Sequence, residues 1–132
     1  MKALLDTNVC IYLIRRKPIQ VLECFERYAA GEIGLSSVTL AELQYGAATS
    51  QFPERNRQAL EVFTLPLEIA PFDAEAAVIY GEVWFALERQ GRTIGSMDLM
   101  IAAHALSLGV TLITHNTREF ERVAGLQVED WV

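Results

Sequence analysis

Three carboxylates at the ends of short apolar runs carry the first chemical signal in this chain. Asp6 follows Ala3-Leu4-Leu5 directly, Glu42 lies one turn into the segment after Ile33-Gly34-Leu35-Ser36, and Asp98 sits early in Gly95-Ser96-Met97-Asp98. Two carboxylates about 4 Å apart repel by ~1 kcal/mol in water and ~4 kcal/mol at an effective dielectric of about 20, so a cluster of them calls for protons or cations. A hard divalent cation such as Mg²⁺ or Mn²⁺ takes oxygen ligands and keeps waters, leaving places for a phosphate oxygen and an attacking water. Each acid alone also has a plain structural reading. Asp6 or Asn8 can cap a helix, Glu42 can face solvent, and Asp98 suits the positive end of a helix dipole. Their coincidence at one edge of a sheet is what points to chemistry.

That coincidence follows from the elements that must position them. Lys2 to Leu5 reads as a first strand that delivers Asp6 just past its C-terminal end, where parallel sheets place their sites. Ile33 to Ser36 reads as a second strand, with Ser37 capping a helix from about Val38; at 1.5 Å per residue Glu42 is then about 6 to 8 Å from that helix's start. Gly95 to Asn116 reads as helix, glycine stop and strand. Ser96 is the expected N-cap, Gly109 the stop, and Val110 to Thr114 the strand, so Asp98 should meet the Thr114-His115-Asn116 tip.

The remaining segments are structural by this reading. Pro18 opens a helix to about Tyr28, and Ser50-Gln51-Phe52-Pro53 breaks the chain before an amphipathic helix from Glu54 to Phe63. Leu67 to Ala70 is a short strand. Asp73 caps the longest helix, about Ala74 to Gln90, whose Ala77, Tyr80, Val83, Trp84 and Leu87 are expected to enter the core rather than a subunit face. Thr117 to Phe120 starts a short helix and Leu126 to Val128 a last strand.

At 132 residues, 52% of them hydrophobic, the chain fits one α/β domain spanning residues 1–132, with no internal repeat or long linker. A formal net charge of −6 argues against a broad basic surface for nucleic acid, although bound cations can invert that locally. Cys10 and Cys24 have no metal-type spacing and read as buried thiols, and no cluster of His and Cys favours zinc. No apolar run reaches the roughly 18 to 20 residues of a membrane span, and no signal-peptide pattern is seen, so a cytoplasmic location is expected.

Taken together, LLDTNV with Asp6 and Asn8, SSVTLAELQYG with Glu42, IGSMDLMIAAHALSLG with Asp98 and TLITHNTREFERVAGL resemble the PIN-domain ribonucleases, and within them the VapC toxins. The resemblance spans essentially the whole chain. It implies a three-layer α/β/α domain with a central, mostly parallel sheet, a Mg²⁺-dependent endoribonuclease that accepts Mn²⁺, a homodimer, and inhibition by a VapB-type antitoxin. It also implies a structured RNA substrate, with tRNA and initiator tRNA foremost, cut by water to leave 3′-hydroxyl and 5′-phosphate ends. Asp6 and Asp98 would be the principal metal ligands and Glu42 a ligand or water positioner.

One departure is visible. Many PIN domains carry a fourth acid after the last strand of the site, where this chain has Thr114-His115-Asn116. Asn116 offers a carbonyl but no charge, and Glu119 supplies a carboxylate if the turn directs it inward. Thr7, Asn8, Ser96 and Thr114 read as hydrogen-bonding supports, and Arg15, Arg16, Lys17, Arg89, Arg92 and Arg118 as candidate contacts to an RNA backbone. Competing readings are a DNA-acting or RNA-processing nuclease outside a toxin pair, and a silent binding module whose acids are only caps. An aspartyl-phosphate enzyme is disfavoured by Asn8 two residues after Asp6 and by the lack of a lysine beyond Lys17.

Overall fold

The computed structural model describes residues 1–132. Five strands, β1 (Ala3–Leu5), β2 (Ile33–Ser36), β3 (Glu68–Ala70), β4 (Thr111–Ile113) and β5 (Val128–Glu129), form one sheet in the order β3-β2-β1-β4-β5. Every neighbouring pair is parallel. Helices α1 (Thr7–Arg15), α2 (Ile19–Glu26), α3 (Ser37–Ala48), α4 (Pro53–Thr64), α5 (Ala74–Arg89), α6 (Ser96–Leu108) and α7 (Thr117–Phe120) make the connections.

Both faces of the sheet are covered, which is why β1 and β2 are buried at every position instead of alternating. Side-chain alternation divides the interior into two cores. Ala3, Leu5, Ile33, Leu35 and Ile113 pack on one face with Val9 and Leu13 of α1, Val21 of α2 and Leu60 of α4. Leu4 and Leu112, paired in register, face the other way against Leu99, Ile101, Ala102 and Ala105 of α6 and Leu87 of α5. At Gly34 a β-carbon would come within 2.6 Å of the Glu68 carbonyl oxygen and the Met1 side chain, so the β2–β3 approach requires glycine there.

Strand order decides where a site can form. From β1 the chain adds β2 and β3 on one side, then crosses to β4 and β5 on the other, so the connections diverge between β1 and β4. A crevice opens outside the C-terminal ends of strands at such a switch point. Gly109 ends α6 at φ 67°, its N–H bonded to the Leu106 carbonyl, and turns the chain into β4.

Three local expectations are corrected. Ser36, not Ser37, caps α3 by accepting from the Val38 N–H at 3.0 Å, while the Ser37 hydroxyl accepts from Phe72 N–H at 3.0 Å. The serine one residue earlier has the extended backbone that a cap needs. Gly95 rather than Ser96 precedes α6, and no side chain caps it, because Ser96 already lies inside the helix. The apolar side of α5 only partly enters the core. Leu87 is buried, but Val78, Trp84 and Phe85 are 61%, 47% and 61% exposed, since a helix packed on α6 from one side cannot bury apolar residues all around.

Candidate active site

Asp6 ends β1 and starts α1, and that dual position explains its surroundings. Its Oδ1 accepts from the Thr7 N–H and its Oδ2 from the Thr114 hydroxyl, each at 2.7 Å. Thr114 stands directly past β4, so this bond crosses the switch point. Asp6 is only 5% exposed, and burial pushes its pKa up while the Thr114 and Thr7 bonds oppose the rise.

Glu42 enters from α3. Its Oε1 accepts from the Thr7 hydroxyl at 2.7 Å, so adjacent groups of one residue hold both acids: the Thr7 backbone binds Asp6 and its side chain binds Glu42. Spacing alone could place Glu42 on the right helix but carried no signal for this link.

Asp98 and Glu119 meet around Gly95. Asp98 lies in the first turn of α6, and a β-carbon on Gly95 would sit 3.8 Å from its Oδ2. The Gly95 N–H donates to Glu119 Oε1 at 3.3 Å, and Asn116 Nδ2 donates to Glu119 Oε2 at 2.6 Å. The short α7 therefore directs Glu119 inward, and the Asn116 amide orients it. Asn116 is itself fixed by its N–H bond to the Thr114 hydroxyl at 3.0 Å.

The electrostatics show that the four acids share one field. Asp98 is pushed up to about 6, first by burial and then by Asp6, Glu119 and Glu42. The donors that meet here are oxygens only. Cys10 lies nearby but is wholly buried and its thiol is raised well above its ordinary range by burial. No three His, Cys, Asp or Glu side chains close into a ready-made cage. An open set of oxygen donors with uncompensated negative charge fits a cation of the Mg²⁺ type, which is held by one or two carboxylates and keeps several waters.

A family model for the PIN domain matches residues 3–126. Over 131 residues the chain is 50% identical to the tRNA(fMet)-specific endonuclease VapC of Shigella flexneri, covering 99% of this chain and 98% of that one. It is 45% identical over 132 residues to ribonuclease VapC2 of Haemophilus influenzae, covering 100% and 99%. The chain belongs to the PIN-domain family, as a VapC-type ribonuclease.

Solved VapC-type structures agree in shape. The VapBC complex of Salmonella typhimurium bound to DNA matches with a TM-score of 0.95 at 43% identity, covering 100% of this chain and 99% of that one. VapBC2 of Rickettsia felis, bound to a promoter DNA fragment, matches at 0.93 and 40% over the full length of both. The expected α/β/α PIN architecture is thus the observed one, with a sheet that is wholly rather than mostly parallel.

Not every candidate residue of this VapC-type chain reaches the acids. Asn8 and Ser96 are exposed and their side chains make no hydrogen bond to an acid. Arg15 lines a cleft that begins at Thr7 and Glu42, whereas Arg16 adopts φ 61° at the end of α1 and lines a separate hollow with Arg55. Lys17, Arg92 and Arg118 are exposed. Arg89 stacks on the exposed Phe85 at 5.6 Å and makes no hydrogen bond or ion pair with an acid of the site. His104 is a core residue whose Nδ1 lies 2.7 Å from the Ser36 hydroxyl, and burial lowers its pKa. His115 leans outward, its Nδ1 3.1 Å from Asp130 Oδ2.

Proposed function

We propose that this VapC-type chain, residues 1–132 forming one PIN domain, is a Mg²⁺-dependent endoribonuclease toxin that also accepts Mn²⁺. It cuts tRNA, with initiator tRNA foremost, and is restrained by a VapB-type antitoxin. One observation carries the reading: four carboxylates from four connections share the β1–β4 crevice, and burial, then repulsion by the other three, raises Asp98 to about 6. Such charge favours a cation strongly.

Asp6 and Asp98 would hold the metal, with Glu42 as a ligand or water positioner and Glu119, oriented by Asn116, completing the negative ring. A bound divalent cation supplies positive charge to the phosphodiester and makes water nucleophilic near neutral pH. The chain's own part is preorganisation. Thr114 and Thr7 keep both Asp6 oxygens aimed, Thr7 also aims Glu42, and the Gly95 N–H and Asn116 amide keep Glu119 turned inward. Because water and not the ribose 2′-hydroxyl attacks, the products carry a 3′-hydroxyl and a 5′-phosphate.

The tRNA assignment draws on the tRNA(fMet)-specific relative from Shigella flexneri, and the antitoxin on the VapBC structures. The same acidic crevice would receive an arginine from the antitoxin in place of metal. The exposed Trp84, Phe85 and Val78 on α5 supply an apolar face for a homodimer. No helix is long and apolar enough to cross a membrane, and a tRNA substrate places the action in the cytoplasm.

The test is cleavage of cellular RNA by purified protein with Mg²⁺ or Mn²⁺, with chelator, and with Asp98→Asn, mapping new 5′ ends. Discrete cuts that need metal and Asp98 and fall in tRNA are expected, and a VapB-type antitoxin should abolish them. Cuts that persist in chelator and in the variant would overturn the reading.

A further inference from the structure

A cleft of about 380 Å³ opens directly from the acidic crevice, bounded by α1, α3 and α4. Thr7 and Glu42, already joined by a hydrogen bond, form its inner end. Along α1 the same face continues through Ile11 and Ile14 to Arg15, nine residues from Thr7 that span about 12 Å. Leu43 and Leu60 make a buried apolar floor. Gly46 leaves the mouth wide, since a β-carbon there would touch nothing within 4 Å.

The far end of the cleft is polar in a specific way. Asn56 Nδ2 donates to the Ser50 hydroxyl at 2.8 Å, and Ser50 in turn donates to the Ala47 carbonyl at 2.7 Å. Asn56 is left with one N–H and its Oδ1 unpaired, a donor and acceptor side by side, beside an apolar slot and near a guanidinium. Aliphatic walls, an amide edge and a cation next to a phosphate-cleaving site match the three parts of a nucleotide. At about 380 Å³ the space lies toward the small end of ligand pockets, suited to one ring system rather than a stack.

The geometry points to this cleft as the seat of one unstacked nucleobase of the RNA, the base adjoining the phosphate that is cut beside the carboxylates. The base lies between Ile11, Ile14 and Leu43, Asn56 reads its hydrogen-bonding edge, and Arg15 meets the next phosphate. Sequence-specific RNA recognition works on splayed bases of this kind. The inference rests on the ribonuclease reading and adds to it where substrate selectivity resides.

Gly46→Leu tests it, because the substitution plugs the cleft without touching an acid and replaces a helix-weakening glycine. The wild-type protein is first given, with Mn²⁺, a pool of RNA stem-loops with randomised loops, and the preferred cut is mapped. That stem-loop is then remade with an abasic ribose on either side of the cut. The wild type should cut one abasic form about tenfold less well than the intact RNA, mainly through KM. Gly46→Leu, with its melting temperature unchanged or raised, should cut the intact RNA about tenfold less well and no longer distinguish it from that abasic form. Ala59→Leu, on the α4 wall, should behave alike. Undiminished cleavage by both variants would overturn the inference, and if they also escaped inhibition by the antitoxin the cleft would belong to that partner. Absence of metal-dependent cutting by the wild type would instead sink the ribonuclease reading, and the base seat with it.

Discussion

The Thr7 hydroxyl lies 2.7 Å from Glu42 Oε1, and through this contact the start of α1 holds an acid carried by the second turn of α3. The same residue's N–H holds Asp6, so one threonine sets the relative positions of two carboxylates.

Thr7→Val should separate those functions. The backbone bond to Asp6 survives, the side chain keeps its shape, and Glu42 loses its anchor. Stability should fall by about 1 kcal/mol, while cleavage falls about tenfold or more through looser placement of Glu42. Thr7→Ser should restore most activity. Denaturant melts and initial rates on one RNA check both, and a Thr7→Val protein as active as wild type would remove Thr7 from the site.

Asp98 should trade stability for activity. Its folded-state pKa of about 6 exceeds the ordinary 3.8, so the folded chain binds this proton more tightly than the unfolded one. In the metal-free protein, stability from this group is therefore present below about pH 4 and is lost as pH rises through about 6. Asp98→Asn removes the ionisation. At pH 7 it should be about 1–2 kcal/mol more stable than wild type, less than the ~3 kcal/mol of the full shift because solvent screens a half-exposed carboxylate. Cleavage should drop at least about a hundredfold. Mg²⁺ should raise the wild type's melting temperature at pH 7 and raise the variant's much less, with the wild-type response shrinking below about pH 6.

Trp84→Glu addresses the outer face of α5. Trp84 is 47% exposed and meets Tyr80 at 5.7 Å on its covered side, outside both buried cores, so helix α5 should persist by circular dichroism. A charge in an apolar subunit contact should shift sedimentation from dimer to monomer at micromolar protein. A wild-type protein that already sediments as a monomer would refute the homodimer.

Gly34→Ala should be damaging despite the small change. The added carbon would stand 2.6 Å from the Glu68 carbonyl oxygen in β3 and 2.6 Å from Met1 Cε. Met1 can move, but the β3 backbone cannot without loosening the β2–β3 pairing. A loss of about 1–3 kcal/mol in urea unfolding is expected, with cleavage largely retained while the variant stays folded, because the added carbon meets Glu68 and Met1 and none of the four acids.

Much of this protein is determined by sequence alone, because its signals are local. Apolar runs of three or four residues make the buried strands, Gly109 stops α6, Asp73 caps α5, and an acid directly after β1 must emerge at the sheet's C-terminal edge. Those features, with four ordered motifs, placed Asp6, Glu42 and Asp98 in one region and indicated the PIN-domain family. Tertiary structure decided what depends on distance in sequence. Thr114 reaches Asp6 across 108 positions, Thr7 reaches Glu42 across 35, and Gly95 meets Glu119 across 24. No periodicity encodes such pairings, since they arise only when β4 inserts beside β1 and the short α7 turns back over α6. The same reason explains α5, whose apolar residues looked uniform in sequence. Only the packing of one side on α6 shows which are core and which, like Trp84, are left facing outward.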